Sequence, residues 1–129
     1  MTKLHLQVAL GLYKEGFISS VQRGDLKGPD RIYTPNTADN ISTRRIWLGL
    51  KYHNFNSVLK SMHLVSKPSR RVIAKPNAIK DLVAGKPFRQ IQPLAMGEVM
   101  FVRLADGDVV EVQEAAKKNL GGEILCRVN

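Results

Sequence analysis

The sequence predicts an α+β protein built as two small packed α/β subdomains with short mixed sheets, an N-terminal one over 1–65 and a C-terminal one over 66–129. Three observations predict it. Helical and strand periodicities follow one another along the chain without segregating into one class. Two stretches alternate cleanly between apolar and polar positions, at 45–52 and at 123–128. Glycine and proline cut the chain into short elements, and 129 residues with 43% hydrophobic content suffice for a core without disulfides or metal.

Taken in order, Leu4 to Lys14 reads as a helix with Leu4, Val8 and Tyr13 in register, stopped by Gly16. Phe17 to Val21 reads as a short strand. Residues 22–44 are polar and punctuated by Gly24, Gly28, Pro29 and Pro35, which predicts a long loop with a brief β excursion at Arg31 to Tyr33. Arg45 to Tyr52 is the clearest strand, with Ile46, Leu48, Leu50 and Tyr52 alternating against Arg45, Trp47, Gly49 and Lys51. His53 to Asn56 reads as a turn. Val58 to Val65 fits either a strand or a short helix leading into one, and Pro68 ends it.

The C-terminal half continues with a β-rich piece at Arg71 to Ala74 and a short helix at Ala78 to Val83. A strand follows at Glu98 to Leu104, a turn at Asp106 to Asp108, and a helix near Val112 to Lys118. Gly121 and Gly122 break that helix. The last strand, Glu123 to Val128, puts Ile124, Cys126 and Val128 on one face and Glu123, Leu125 and Arg127 on the other. No internal repeat or low-complexity tract interrupts this pattern.

Charge narrows the function. Twenty Lys and Arg against eleven Asp and Glu give +9 and a pI near 10, a balance that suits a polyanionic partner. Residues 66–89 hold seven basic side chains and one acid, Asp81, a local +6. Within it and after it, Lys67, Arg70, Arg71 and Lys75, with Lys117 and Lys118, are the candidate phosphate contacts. Ser66 and Ser69 are candidates for sugar or phosphate oxygens, and Pro68 stiffens the run. An anionic membrane is disfavoured as the partner, because no basic amphipathic helix or spanning apolar run is visible.

Enzymatic chemistry finds little support. His5, His53 and His63 share no metal-ligating spacing. Cys126 falls on the apolar face of the last strand, where a small buried hydrophobe is expected rather than a nucleophile. Asp106, Asp108, Glu111 and Glu114 form an acidic group that reads as a solvated turn and helix start. Gly121 and Gly122 follow no strand and precede no phosphate-loop Lys. The expectation is no active site, no metal, no cofactor and no small-molecule substrate. Met1 to Gln7 shows neither a secretory core nor an Arg-rich, Ser-rich presequence, and a single cysteine fits a reducing compartment.

Four segments together resemble one family. NLGGEILCRV (119–128) is similar to the C-terminal signature of the bacterial-type small-subunit ribosomal protein number eight. VSKPSRR (65–71) resembles its Val-Ser-Arg/Lys-Pro-Gly-x-Arg turn, LYKEGFISSV (12–21) its second helix running into the first strand, and WLGLKY (47–52) the next strand. They occur in the family's order. The sequence departs from the family in lacking an extra helix before Leu4 and in the length of its 22–44 loop. Ser69 replaces a Gly, and Ile73 a Tyr. Leu104 to Asp108 reads Leu-Ala-Asp-Gly-Asp where the family has a hydroxyl-rich Ser-Thr-Ser-x-Gly rRNA contact, so carboxylates stand where phosphate would approach. Glu114 and Ala115 keep the family's Glu-Ala pair.

The resemblance implies a two-part α+β protein that is not an enzyme. It would bind the central domain of small-subunit rRNA and neighbouring small-subunit ribosomal proteins, supporting assembly of the platform side. It implies a bracing role for Glu123 and a structural turn at Gly121, Gly122 and Glu123, with close backbone approach or a positive φ at the glycines. The lost hydroxyl motif and enlarged loop suggest the mitochondrial branch, bound to the ribosome in the matrix; a bacterial cytoplasm or another organelle is the alternative. The alternative function is a ribonucleoprotein interaction protein held mainly by protein neighbours, docking through 22–44 and 104–114.

Overall fold

A helix that ends in a left-handed glycine opens the chain. The computed structural model describes residues 3–32, 37 and 39–129. Helix α1 spans Lys3–Lys14 and buries Ala9 and Leu12. Gly16 has φ +82, and its N–H donates to Tyr13 O (3.1 Å) while Phe17 N–H donates to Leu12 O (3.0 Å). These two bonds close the helix as a Schellman cap, which is why Gly16 is the stop.

The next strand, β1 (Ile18–Gly24), is longer than the expected Phe17–Val21. It pairs antiparallel with β2 (Arg45–Leu50), and the pairs Gln22↔Trp47, Arg23↔Ile46 and Gly24↔Arg45 carry it into what reads as loop. Polar side chains hid this extension, because backbone pairing needs no apolar periodicity. Of the 22–44 segment, a bridge joins Gly24 to Pro29 and Asp30 N–H donates to Arg23 O (2.8 Å). Arg31 and Ile32 form a bend; the rest of the expected β excursion, Tyr33, lies outside the described residues. The Arg44 guanidinium is buried and makes a two-pronged ion pair with Asp30, which holds the Asp30 carboxyl below the usual carboxylate range.

After β2 the expected turn, His53 to Asn56, is present and closes a two-strand hairpin, β3 (Tyr52–His53) and β4 (Asn56–Ser57). The chain then divides into two compact units, Met1–Leu59 and Lys60–Asn129. That division falls six residues before the expected 65/66 boundary, because the strand β5 (Met62–Leu64) pairs with the last strand of the chain.

The second unit is a five-stranded sheet with two helices. Its strands are β5, β6 (Ile73–Ala74), β7 (Val99–Arg103), β8 (Val109–Glu111) and β9 (Gly122–Val128). The order is β5-β9-β7-β8, with β6 pairing the other end of β9. Every pairing among the described strands is antiparallel, where mixed sheets were expected. Strand β9 is central and alternates as the sequence predicts: Ile124, Cys126 and Val128 are buried, with their neighbours half-buried.

Helix α2 (Pro76–Ala84) has Pro76 in its first turn and ends at Gly85, φ +97. Helix α3 (Val112–Lys117) starts on Glu111, whose carboxylate accepts the Gln113 N–H (2.9 Å), and stops at Asn119, φ +56. Ile79 and Leu82 from α2 and Val112 and Ala115 from α3 pack with Met100, Val102 and Ile124 in one core. No helix among the described residues is long and apolar enough to cross a membrane.

Candidate nucleic-acid interface

The cations between β5 and α2 sit on a braced loop. Lys67 and Arg70 exchange backbone hydrogen bonds, 2.9 Å each way, so Pro68 and Ser69 form a tight two-residue tip. Ser66 is buried beneath it. Its Oγ accepts the Val72 N–H (2.9 Å) and donates to Val72 O (3.3 Å). The Ser66 hydroxyl, expected as a sugar or phosphate contact, is thus engaged inside the loop; a short side chain at the foot of a reversal reaches the strand opposite first. Lys67, Ser69, Arg70 and Arg71 are exposed around it.

Two grooves open beside this loop. The larger, about 660 Å³, is lined by the cations Arg71, Lys75 and Arg103 and floored by Gly121, Gly122 and Glu123. These residues come from four segments: the loop, the start of α2, the end of β7 and the start of β9. A smaller groove of about 400 Å³ is lined by Lys67, Arg70, Arg71 and Arg89. Arg71 borders both. Arg70 donates to the Gln90 side chain (3.3 Å), and the Arg89 guanidinium lies 5.2 Å from the Phe88 ring centre.

The paired glycines have a packing reason. A Cβ on Gly121 would lie 2.7 Å from Ala74 O, and one on Gly122 would lie 2.2 Å from Arg103 O. Neither has a positive φ among the positive-φ residues of the chain, so close backbone approach, not left-handed geometry, selects glycine here. Glu123 is mostly covered and lies 3.7 Å from the exposed Arg71 guanidinium; its strand partners are Ile73 and Arg103. It offsets part of the positive charge in the groove.

Not every sequence candidate reaches this face. Lys117 ends α3 and Lys118 follows it, and Lys118 Nζ bonds Glu114 Oε1 at 2.9 Å in an i,i+4 pair. Neither lines a groove described above. Conversely, sequence reasoning passed over Arg103, which the pairing Arg103↔Glu123 brings to the groove, and did not single out Arg89 within the basic run. Arg127 has cationic charge but turns it inward, onto Glu98 and the Gln92 (2.9 Å) and Pro93 (3.1 Å) carbonyls.

The other candidate chemistry is structural. Asp106 Oδ1 accepts the Asp108 N–H (3.0 Å) in the exposed turn between β7 and β8, Glu111 caps α3, and Glu114 pairs with Lys118. Cys126 is buried, and burial pushes its thiol up to about 11, which keeps it protonated and unreactive. Among the described residues no group of three or more His, Cys, Asp or Glu could hold a metal ion.

The chain is 42% identical over 123 residues to the small ribosomal subunit protein uS8m of Schizosaccharomyces pombe, covering 95% of this chain and 80% of that one. It is 41% identical over 133 residues to uS8m of Neurospora crassa, covering 98% and 82%. It is 31% identical over 127 residues to uS8 of Gluconacetobacter diazotrophicus, covering 98% and 77%. The model of the family described as Ribosomal protein S8 matches residues 1–129, and the chain belongs to that family.

Proposed function

We propose that the chain is a structural, non-enzymatic constituent of the small subunit of the mitochondrial ribosome, held on the central domain of small-subunit rRNA by the basic face of residues 60–129. The observation that carries the RNA contact is the groove where Arg103, from the end of β7, joins Arg71 and Lys75. Three cations on braced backbone, beside two glycines, suit a phosphate backbone passing close to the start of β9. The compartment rests on relatives: the two with the mitochondrial suffix are 41–42% identical, against 31% for the bacterial uS8 above. Neighbouring small-subunit proteins complete the partners.

Double charge reversal tests this. Arg70→Glu/Arg71→Glu is expected to weaken filter binding to small-subunit rRNA roughly tenfold or more and to lower the log affinity–log salt slope by roughly 1.5–2. Unchanged affinity and slope would sink it. The acidic turn favours a second reading: Asp106 and Asp108 are exposed beside groove residues Leu104, Ala105 and Gly107, where they would repel phosphate and suit a basic protein neighbour. Crosslinks from 104–114 to protein, with few RNA crosslinks at 66–75, would favour that reading.

A further inference from the structure

The β3–β4 hairpin carries a residue whose type contradicts its backbone. Its two-residue turn, Asn54–Phe55, has φ +50 and +66. Both values are positive, the pattern of a type I′ turn, which favours Asn then Gly. Asn54 fits. Phe55 does not: a bulky side chain in the left-handed region is a backbone outlier, held at a cost in strain. Burial does not offset that cost, because the Phe55 ring is fully exposed. A strained residue with no packing return within the chain directs attention to what it meets outside.

The surroundings favour RNA as that partner. Tyr52, His53 and Phe55 place three rings within four residues, and all three are exposed. The hairpin lies inside a run of its own unit, Asn40 to Leu59, that contains no Asp or Glu and places Arg45 and Lys51 just before it. Exposed rings in a cationic, acid-free stretch are the combination that holds single-stranded nucleic acid, with cations for the backbone and rings for base faces. A pocket in a neighbouring protein would need only the ring, and would leave the absence of acids along the run without a role.

We infer that the Tyr52–Ser57 hairpin is a base-stacking element, with the Phe55 ring stacked on an unpaired nucleobase of the rRNA and Tyr52 and His53 beside it. This rests on the rRNA-binding reading above but uses a different unit of the chain and a different force. Stacking is nearly independent of salt, whereas the basic groove is not.

The type I′ turn supplies a clean test in the full-length chain. Phe55→Gly removes the ring and puts the preferred residue into the turn, so the hairpin is kept. Its thermal midpoint is expected at or above that of the unsubstituted chain. Its affinity for small-subunit rRNA in filter binding is expected to fall roughly 5- to 100-fold with an unchanged salt slope. Phe55→Trp is expected to restore affinity to within about threefold. Ultraviolet crosslinking of the complex followed by peptide mass spectrometry is expected to find a nucleotide on residues 52–57. Equal affinity for Phe55→Gly, with Arg70→Glu/Arg71→Glu still impaired, overturns the hairpin proposal alone. Absence of rRNA binding by the unsubstituted chain overturns the reading it rests on. A hairpin crosslinked to protein and not to RNA inside assembled subunits also overturns it.

Discussion

The two units solve the burial problem unequally. Among the described residues, the first buries four apolar side chains, Ala9, Leu12, Phe17 and Ile18, while the second buries twelve. Exposure runs the other way, with ten large exposed hydrophobics in the first unit and five in the second. The cause is architectural. One helix and two two-stranded sheets have few facing surfaces, whereas a five-stranded sheet with two helices closes a layer. The first unit supplements its small core with a buried charge pair, Arg44–Asp30, where the second relies on apolar contact. The second unit closes a core of its own, and the first leaves more of its apolar surface open.

Identical substitutions give the sharpest test of that contrast. Leu82 in α2 is 0% exposed and Leu12 in α1 is 3% exposed, so both Leu→Ala changes delete the same buried atoms. Leu82→Ala is expected to cost about 3–5 kcal/mol, because the dense core around it relaxes little. Leu12→Ala is expected to cost nearer 2 kcal/mol, since a thinner shell collapses more readily into the gap. Urea unfolding of each variant, followed by hydrogen exchange on peptides of each unit, separates them. Equal losses would break the comparison.

Opposite ends of the pH scale give the next effect. The Asp30 carboxyl is depressed in the folded chain, so its pairing stabilises above the ordinary value of 3.8 and is lost as pH falls through the lower folded value. The Cys126 thiol is raised from 9.0 to about 11, so its contribution is complete below pH 9 and is lost as pH rises through about 11. A rise of this size corresponds to about 2–3 kcal/mol at the alkaline end. Hydrogen exchange should therefore show the first unit opening earlier in acid and the second earlier in alkali. Cys126→Ala should remove the alkaline loss, and its persistence would assign that loss elsewhere.

How much of this was legible depended on the range of the interactions. Strand β9 was readable because Ile124, Cys126 and Val128 announce their face locally. Helix α1 was readable because Gly16 marks its end. Strand β8 was missed: three residues, Val109 to Glu111, are too few for a period, and Glu111 also begins a helix. Strands β3 and β4, two residues each, were hidden for the same reason. The cations from Lys67 to Lys75 were visible as a run, but Arg103 joins them only through its pairing with Glu123, twenty positions away. Lys117 and Lys118 are close to the glycine pair in sequence, yet Lys118 is held by Glu114.

The smallest expected effect concerns the loop that holds those cations. Ser66→Ala removes an Oγ that serves both backbone polar groups of Val72. The Val72 N–H then loses its acceptor in a half-buried position, a loss of about 1 kcal/mol. The reciprocal Lys67–Arg70 bonds remain, so the tip should persist on a looser foot. Amide exchange at Val72 should quicken while peptides of residues 3–32 stay unchanged. Affinity for rRNA should fall only about two- to threefold, less than for charge reversal at Arg70 and Arg71, because the cations survive and lose only their fixed spacing. A Ser66→Ala loss as large as the charge reversal, with Val72 exchange unchanged, would return the hydroxyl to direct RNA contact. The opposite pattern would assign the second unit's grip on RNA to its cations and leave the Ser66 hydroxyl a role inside the loop.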